Sequence, residues 1–308
     1  MVDKALPPVS IGLPFYNSEQ FLLDAIKSVF AQTHQEWELI LVDDGSTDKS
    51  LDIARSIDDP RVRVYSDGKN KRLATRLNEI NSLAKYDIVA RMDADDLMDT
   101  DRIRKQLECL MEHPELDLVG TGVCSLTDDG EPVGIRCVSP NHHITEKALL
   151  AGQAGIVHAS ILGRKEWFMR NRYREDLPKS QDTNLWIRSF SKDDLNIAII
   201  PEPLYYYRED GNVTANKLLL AYRVGRISIR EDAKGRFTNR VRTKGLMALY
   251  AKSSAVTLLN WLGKMDVIRR RRNQQGIEAA EKAKVLSEIQ TVQALQLPVN
   301  QAHMAEKS

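Results

Sequence analysis

Residues 86–101 read YDIVARMDADDLMDTD, and the fold is read outward from this stretch. A short apolar run, Ile88–Ala90, empties into Asp93, Asp95 and Asp96. In an open α/β sheet a strand of this kind delivers the residues after it to the carboxyl edge, where ligands bind. Asp93 and Asp95 are two apart, so in extended chain they project to the same side, and neighbouring carboxylates repel unless a cation or a proton joins them. Mg2+ or Mn2+ is the natural occupant. Mg2+ is typically held by one or two carboxylates and completed by phosphate oxygens and water, so a diphosphate ligand suits the pair. Taken alone, the acids read as readily as a solvated turn capping a helix that begins near Asp99.

A second segment has the same form. Residues 38–48, ELILVDDGSTD, are again an apolar strand emptying into acids and a glycine turn, so Asp43 and Asp44 are expected at the same sheet edge. Carboxylates there suit hydrogen bonds to a ribose or base, while Gly45 and Ser46 let the backbone turn sharply. The same Asp and Ser also suit the cap of a helix starting near Thr47, and Asp44 can serve both purposes.

Around these two segments, short apolar runs alternate with helical patterns. Val9–Leu13, Leu39–Val42, Val62–Tyr65, Ile88–Ala90 and Leu116–Gly120 read as strands, and Phe21–Phe30, Leu73–Leu83 and Arg102–Glu112 as helices. The expectation is a twisted, mostly parallel, Rossmann-like α/β sheet with helices on both faces. From about Ile135 the pattern loosens into short strands, including Ser160–Leu162 and Ile197–Ile200, before a mainly helical last third. A boundary near residue 215 divides a sheet domain, 1–215, from a helical, basic region, 216–308.

The net charge of +1 hides a strong asymmetry. Residues 223–272 hold fourteen Lys and Arg against Glu231, Asp232 and Asp266. A basic appendage on an acidic body points to an anionic partner. Leu246, Leu249, Tyr250, Val256, Leu259 and Leu262 are interleaved with Lys252, Lys264 and the run Arg269–Arg272, which suits an amphipathic helix or helical hairpin lying on a membrane surface. Residues 245–263 are too short and too polar to span one. Arg269–Arg272 lacks the interleaved aromatics of a stacking surface, so no nucleic acid is expected. The last residues, rich in Ala, Glu, Gln and Lys, read as a surface helix that frays. Three cysteines without CxxC spacing suggest neither a disulfide framework nor a zinc site, and the proline-broken N-terminus is unlike a secretory signal, so a cytoplasmic setting is expected.

Six segments in order resemble the family-2 glycosyltransferases of the GT-A fold: VSIGLPFYN at Val9–Asn17, VDDGSTD at Val42–Asp48, MDADD at Met92–Asp96, HASILGRKEW at His158–Trp167, QDTNLWIR at Gln181–Arg188 and LYYYR at Leu204–Arg208. They span roughly the first two-thirds of the chain. The resemblance implies an inverting, non-processive enzyme that takes one sugar from a nucleotide-diphosphate donor, most commonly a UDP-hexose, to a hydroxyl of a saccharide or lipid-linked saccharide. Surface-polysaccharide assembly on the cytoplasmic face of a bacterial inner membrane fits this pattern.

The resemblance also implies roles. Pro14 and Tyr16 are expected to wall the nucleotide pocket, Asp44 to contact the base, and Arg76, in KNKRLATRLN, to approach base or phosphate or else to make a surface salt bridge. Asp95 is expected to contact the metal, with Asp93 nearer the ribose and Asp96 a competing ligand. Asp182 falls where the family places the general base, and the alternative is that it merely caps the helix at Thr183–Phe190. Arg208 is expected near the diphosphate. His158 is expected either to bond acceptor or phosphate or to be structural.

The sequence departs from the family pattern at three places. Gln181 replaces a Glu, Arg72 replaces a glycine, and Glu209-Asp210 come after Arg208 where many members have a histidine. Two rival readings remain. A sugar nucleotidylyltransferase would want a basic, glycine-rich loop after the first strand, but GLPFYNSEQ has no Lys or Arg. A catalytically inactive adaptor, binding through its basic tail, would not need Asp44, Asp93, Asp95 and Asp182.

Overall fold

The computed structural model describes residues 5–138, 143–208, 214–265 and 276–300. Its frame is a nine-stranded sheet. The strands are β1 (Val9–Phe15), β2 (Trp37–Asp43), β3 (Val62–Ser66), β4 (Ile88–Arg91), β5 (Leu97–Met98), β6 (Leu118–Leu126), β7 (Pro132–Arg136), β8 (Leu162–Arg164) and β9 (Ile197–Arg208). Their order is β3-β2-β1-β4-β8-β6-β9-β5, with β7 paired to β6. The first four neighbours, β3 to β4, run parallel. Antiparallel pairings enter with β8 and return at β7 and β5, so the sheet is mixed beyond the N-terminal half.

Strand β2 explains why helices cover both faces. Its residues alternate between two cores: Leu39 and Leu41 join one, Ile40 and Val42 the other. A strand buried on both sides must be apolar throughout, as β1 and β2 nearly are. Over one face lie α1 (Leu22–Phe30), α2 (Ser50–Ser56) and α4 (Arg102–Glu112). Over the other lie α3 (Arg72–Leu83), a short α5 (Glu146–Ala151), α6 (Lys165–Arg170) and α7 (Gln181–Ser191). Leu185 and Trp186 of α7 are both buried there.

Strand β9 is three times the expected length. Pro201-Glu202-Pro203 reads as a chain break because proline cannot donate to a ladder. The structure absorbs these residues in a bulge: β9 pairs in parallel with Leu118–Thr121, slips, and pairs again with Val123–Leu126 through Tyr205–Arg208. Gly122 makes room for it, since a Cβ there would stand 2.8 Å from the Pro201 carbonyl oxygen.

The C-terminal third is α8 (Ala215–Glu231), α9 (Asn239–Trp261) and α10 (Ala279–Ala294). Thr214 and Thr238 cap α8 and α9 by accepting from the N–H of Lys217 and Val241. Arg269–Arg272 and Glu209-Asp210 lie outside the described residues. The expectation of a fraying last helix is corrected for α10: Val285, Ile289 and Val292 form an i, i+4, i+7 stripe buried against Leu97, Cys124, Leu126 and Tyr206. Each such side chain contributes roughly 1.5–3 kcal/mol when fully buried, more than enough to hold a short helix. Beyond it, Pro298 and Asn300 bond back to Asp58 and Ser56, tying the chain to the end of α2.

Candidate active site

The turn after β4 is built from beneath. Tyr205 on β9 donates its hydroxyl to Asp96 Oδ2 at 2.8 Å and accepts from the Asp93 N–H at 3.1 Å. Asp96 Oδ1 accepts from the Arg208 N–H at 2.8 Å. Asp96 is buried with both oxygens spent, and burial together with the Asp95 and Asp93 carboxylates pushes its carboxyl well above the usual range. It therefore anchors the turn through both oxygens. Asp93 and Asp95 remain at the mouth. Crowding by surrounding protein, reinforced by Asp93, raises the Asp95 carboxyl to about 6, although one side of it is open to solvent.

The hard oxygen donors of Asp93 and Asp95, two residues apart, fit a divalent cation. Among the described residues no cluster of three or more His, Cys, Asp or Glu side chains gathers as a closed metal cage. Two carboxylates suffice for an ion that takes its other ligands from a diphosphate and water.

The loops after the parallel strands β1 and β2 leave the same edge of the sheet and are laced together. Asn17 Oδ1 accepts from the Thr47 N–H at 2.8 Å, the Ser18 N–H donates to Ser50 Oγ at 2.7 Å, the Glu19 N–H donates to Asp48 Oδ2 at 3.0 Å, and Glu19 Oε2 accepts from the Lys49 N–H at 2.9 Å. Pro14 lies buried inside β1, whereas Tyr16 presents its ring to solvent at the loop's tip. Asp43 is buried and turns the loop, accepting from the Ser46 N–H and the Ser66 hydroxyl.

Asp44 caps the head of α3. Its Oδ1 accepts from the Lys71 N–H at 2.7 Å and from Arg76 Nε at 2.9 Å, and its Oδ2 from the Arg72 N–H at 3.1 Å. Gly45, at φ +77°, lies so close to the Lys69 backbone that a Cβ would approach its carbonyl carbon to 2.8 Å. Arg76 is not the surface pair that was one of its two expected roles. It is buried among Asp44, Asp67 and Glu79, each 2.7–2.9 Å away.

Arg72, which stands where the family pattern has glycine, adopts φ 71°. The position keeps the glycine conformation with a side chain that resists it. Relief of left-handed strain is worth roughly 1–2 kcal/mol, less roughly 0.5–1 kcal/mol for glycine's added freedom when unfolded. Arg72→Gly is therefore expected to raise the urea midpoint slightly without changing the slope.

Asp182 sits half-buried in the first turn of α7, directly after Ser180, which holds φ 55°. Among the described residues its carboxylate has no hydrogen bond or ion pair. It does act electrostatically on Arg91 and Tyr173. Arg91, at the end of β4, is buried and donates Nη2 to Asp93 Oδ1 at 2.6 Å, while its Nε finds no partner among the described residues. Burial alone would lower the Arg91 pKa, but the Asp93 carboxylate, two tyrosines and Asp182 outweigh it. One guanidinium is thus paired with Asp93 and also feels the Asp182 carboxylate.

His158 packs behind this arginine. Its Nε2 is 2.7 Å from the Tyr173 hydroxyl and its ring contacts Trp186. Burial, with the positive charge of Arg91, holds its pKa well below the usual imidazole value, so it is neutral. Arg208 runs over the Phe21 ring and donates to the carbonyls of Thr127 and Asp128, close enough to lower the Asp95 pKa.

The sequence reading missed Arg91, Tyr205 and a second buried arginine, Arg102, which donates to the Arg91 carbonyl and lies over the Tyr205 ring. The available signal was a charged residue at the end of an otherwise apolar strand, which must find a partner when buried.

The sequence model described as "Glycosyl transferase family 2" matches residues 10–171. The chain is 32% identical over 212 residues to the "Putative glycosyltransferase EpsE" of Bacillus subtilis (strain 168), covering 67% of this chain and 74% of that protein. It is 26% identical to the "O-antigen biosynthesis glycosyltransferase WbnJ" of Escherichia coli, covering 76% and 92%. Among solved structures, S. aureus TarS 1-349 in complex with UDP-GlcNAc superposes with a TM-score of 0.59 at 16% identity, covering 79% of this chain and 71% of that one. The mannosyltransferase PcManGT from Pyrobaculum calidifontis, in complex with GDP-Man and Mn2+, gives 0.56 at 13% identity, covering 99% and 89%. These two likenesses concern the fold.

Proposed function

Because the chain belongs to glycosyl transferase family 2 and is a glycosyltransferase, we propose that it moves a single sugar from a nucleotide-diphosphate sugar to a hydroxyl of a saccharide or lipid-linked saccharide, with inversion at the anomeric carbon. The observation that carries this reading is the grouping of Asp93 and Asp95 with the buried Arg91 that pairs with Asp93, together with Asp182, a carboxylate with no hydrogen bond or ion pair among the described residues whose charge Arg91 feels. Inversion needs a base on the face opposite the departing nucleotide, within reach of the acceptor hydroxyl. Asp182 takes that proton as the acceptor oxygen bonds to the anomeric carbon and the bond to the diphosphate breaks.

Tyr16 and Asp44 orient the nucleotide from the β1–β2 loops, with Asp43 and Arg76 holding those loops in shape. Arg208 faces the diphosphate beside Asp95. His158, neutral, buried and bonded to Tyr173, has a structural part. Asp95 and Asp93 would hold Mg2+ or Mn2+, which would supply positive charge to the leaving diphosphate, so that no separate acid would be required. A UDP-hexose is the proposed donor, supported by the UDP-GlcNAc complex of TarS. Polysaccharide assembly at the cytoplasmic face of a bacterial membrane is the proposed setting, supported by the O-antigen enzyme among the relatives.

The test is release of nucleoside diphosphate from a panel of UDP-, GDP- and dTDP-sugars with Mn2+ or Mg2+ and then EDTA. Turnover of one UDP-sugar that stops with EDTA and in Asp95→Ala is expected. A metal-independent reaction, or failure of every donor to bind in a parallel titration, would overturn the reading.

A further inference from the structure

Helix α9 carries apolar residues on two faces, and the protein uses only one of them. Leu249 and Val256 are buried, with Leu249 set against Gly225 of α8. On the other side Met247, Leu258, Trp261 and Leu262 are exposed, Trp261 to 80% and Met247 to 66%, while Tyr250 at their edge accepts from Arg230 and lies against Arg226 of α8. Their spacing is helical, so they form one stripe about four turns long with only Ala and Ser between them. The exposed Arg240, Lys244, Lys252 and Lys264 accompany it, and residues 239–264 contain no Asp or Glu.

We propose that this face of α9 docks the enzyme on an anionic lipid surface, lying in the plane of the headgroups with Trp261, Leu262 and Leu258 inserted. Charge selects this occupant. A second copy meeting the same face across a two-fold axis would bring lysines and arginines together with no carboxylate on either helix to pair them. An anionic bilayer accepts both the cations and the aromatic rings, Trp and Tyr being suited to the boundary between hydrocarbon and water. The helix lies on the surface and does not cross it: among the described residues none is long and apolar enough to span a membrane. The inference deepens the reading of a lipid-linked acceptor and rests on it for its purpose, because docking would hold the cleft at the height where such an acceptor is presented.

The experiment is co-sedimentation of the full chain with phosphatidylcholine vesicles, with and without phosphatidylglycerol, in low and high salt. Binding only to the anionic vesicles, weakened by salt, is expected. The double variant Trp261→Ser/Leu258→Ser, altered solely at exposed positions, is expected to bind them at least roughly tenfold more weakly with an unchanged circular dichroism spectrum. Equal binding by the variant, or none by the wild type, would overturn the proposal. So would a wild-type dimer in analytical ultracentrifugation that the variant converts to monomer, which would make this face an interface between copies. Donor titration on the same preparations reads the cleft separately, so a failure of docking is not mistaken for a failure of the proposed activity.

Discussion

Asp182→Asn is expected to lower kcat by a factor on the order of 10²–10⁴, the usual contribution of a positioned general base, while the donor Kd stays within about threefold of wild type. The substitution keeps the size and the place of the side chain in the first turn of α7 and removes only its basicity. Helix capping would fare differently: an amide serves a helix start nearly as well as a carboxylate, so a purely structural Asp182 would lose little rate. Steady-state release of nucleoside diphosphate in the presence of acceptor, paired with calorimetric donor binding, separates the two. A kcat within about tenfold of wild type would remove Asp182 from the role of base. Donor binding is spared because Asp182 touches neither Asp95 nor the β1–β2 loops, whereas Asp95→Ala should weaken donor binding and turnover together.

The second large effect belongs to Arg76. Its guanidinium is buried and shared by Asp44, Asp67 and Glu79, so Arg76→Met leaves three carboxylates converging on an apolar stem. Removing one partner of a fully buried charge network costs about 3–5 kcal/mol, and the lower part of that range applies because Asp67 and Glu79 are partly solvated. Urea unfolding is the measurement. The Arg76→Met/Asp44→Asn pair should destabilise by clearly less than the sum of its parts, since each single change already breaks the shared bond. Additive losses would mean that Arg76 is held mainly by the other two acids. Donor affinity should fall as well, because Asp44 loses the partner that fixes its Oδ1.

What the sequence revealed and what it concealed divide along physical lines. The strand–acid edges at Ile88–Asp96 and Glu38–Asp48 were legible because a buried strand must be apolar and a ligand edge must not be. The two-faced helix cover was legible in runs such as Leu39–Val42, which has no polar side to offer water. The site's underside was hidden. Tyr205 reaches Asp93 and Asp96 across 109 or more residues of chain, and nothing local in LYYYR says which of three tyrosines faces the turn. Arg91 was passed over as punctuation between strand and motif, although its ion-pair partner Asp93 stands only two residues along the chain. Strand β9 was cut at Pro201 because local rules forbid proline in a ladder, while the bulge that admits it is made by Gly122 on another strand. The docking of α10 was missed for a related reason: three apolar residues among Ala, Glu and Lys are a weak stripe until a groove is there to receive them.

That groove has a consequence for how the site comes into being. Leu97 directly succeeds the acidic turn and Tyr206 adjoins the tyrosine that holds it, yet both are covered by Val285, Ile289 and Val292. A chain that ends at residue 215 therefore carries the β1–β2 loops and Asp182 but lacks the residues that cover Leu97 and Tyr206 beneath the acidic turn. Assembly of the site waits for a segment some 190 residues further along the chain. A shortened protein ending before α10, however well expressed, would be a different object from the enzyme with one helix subtracted.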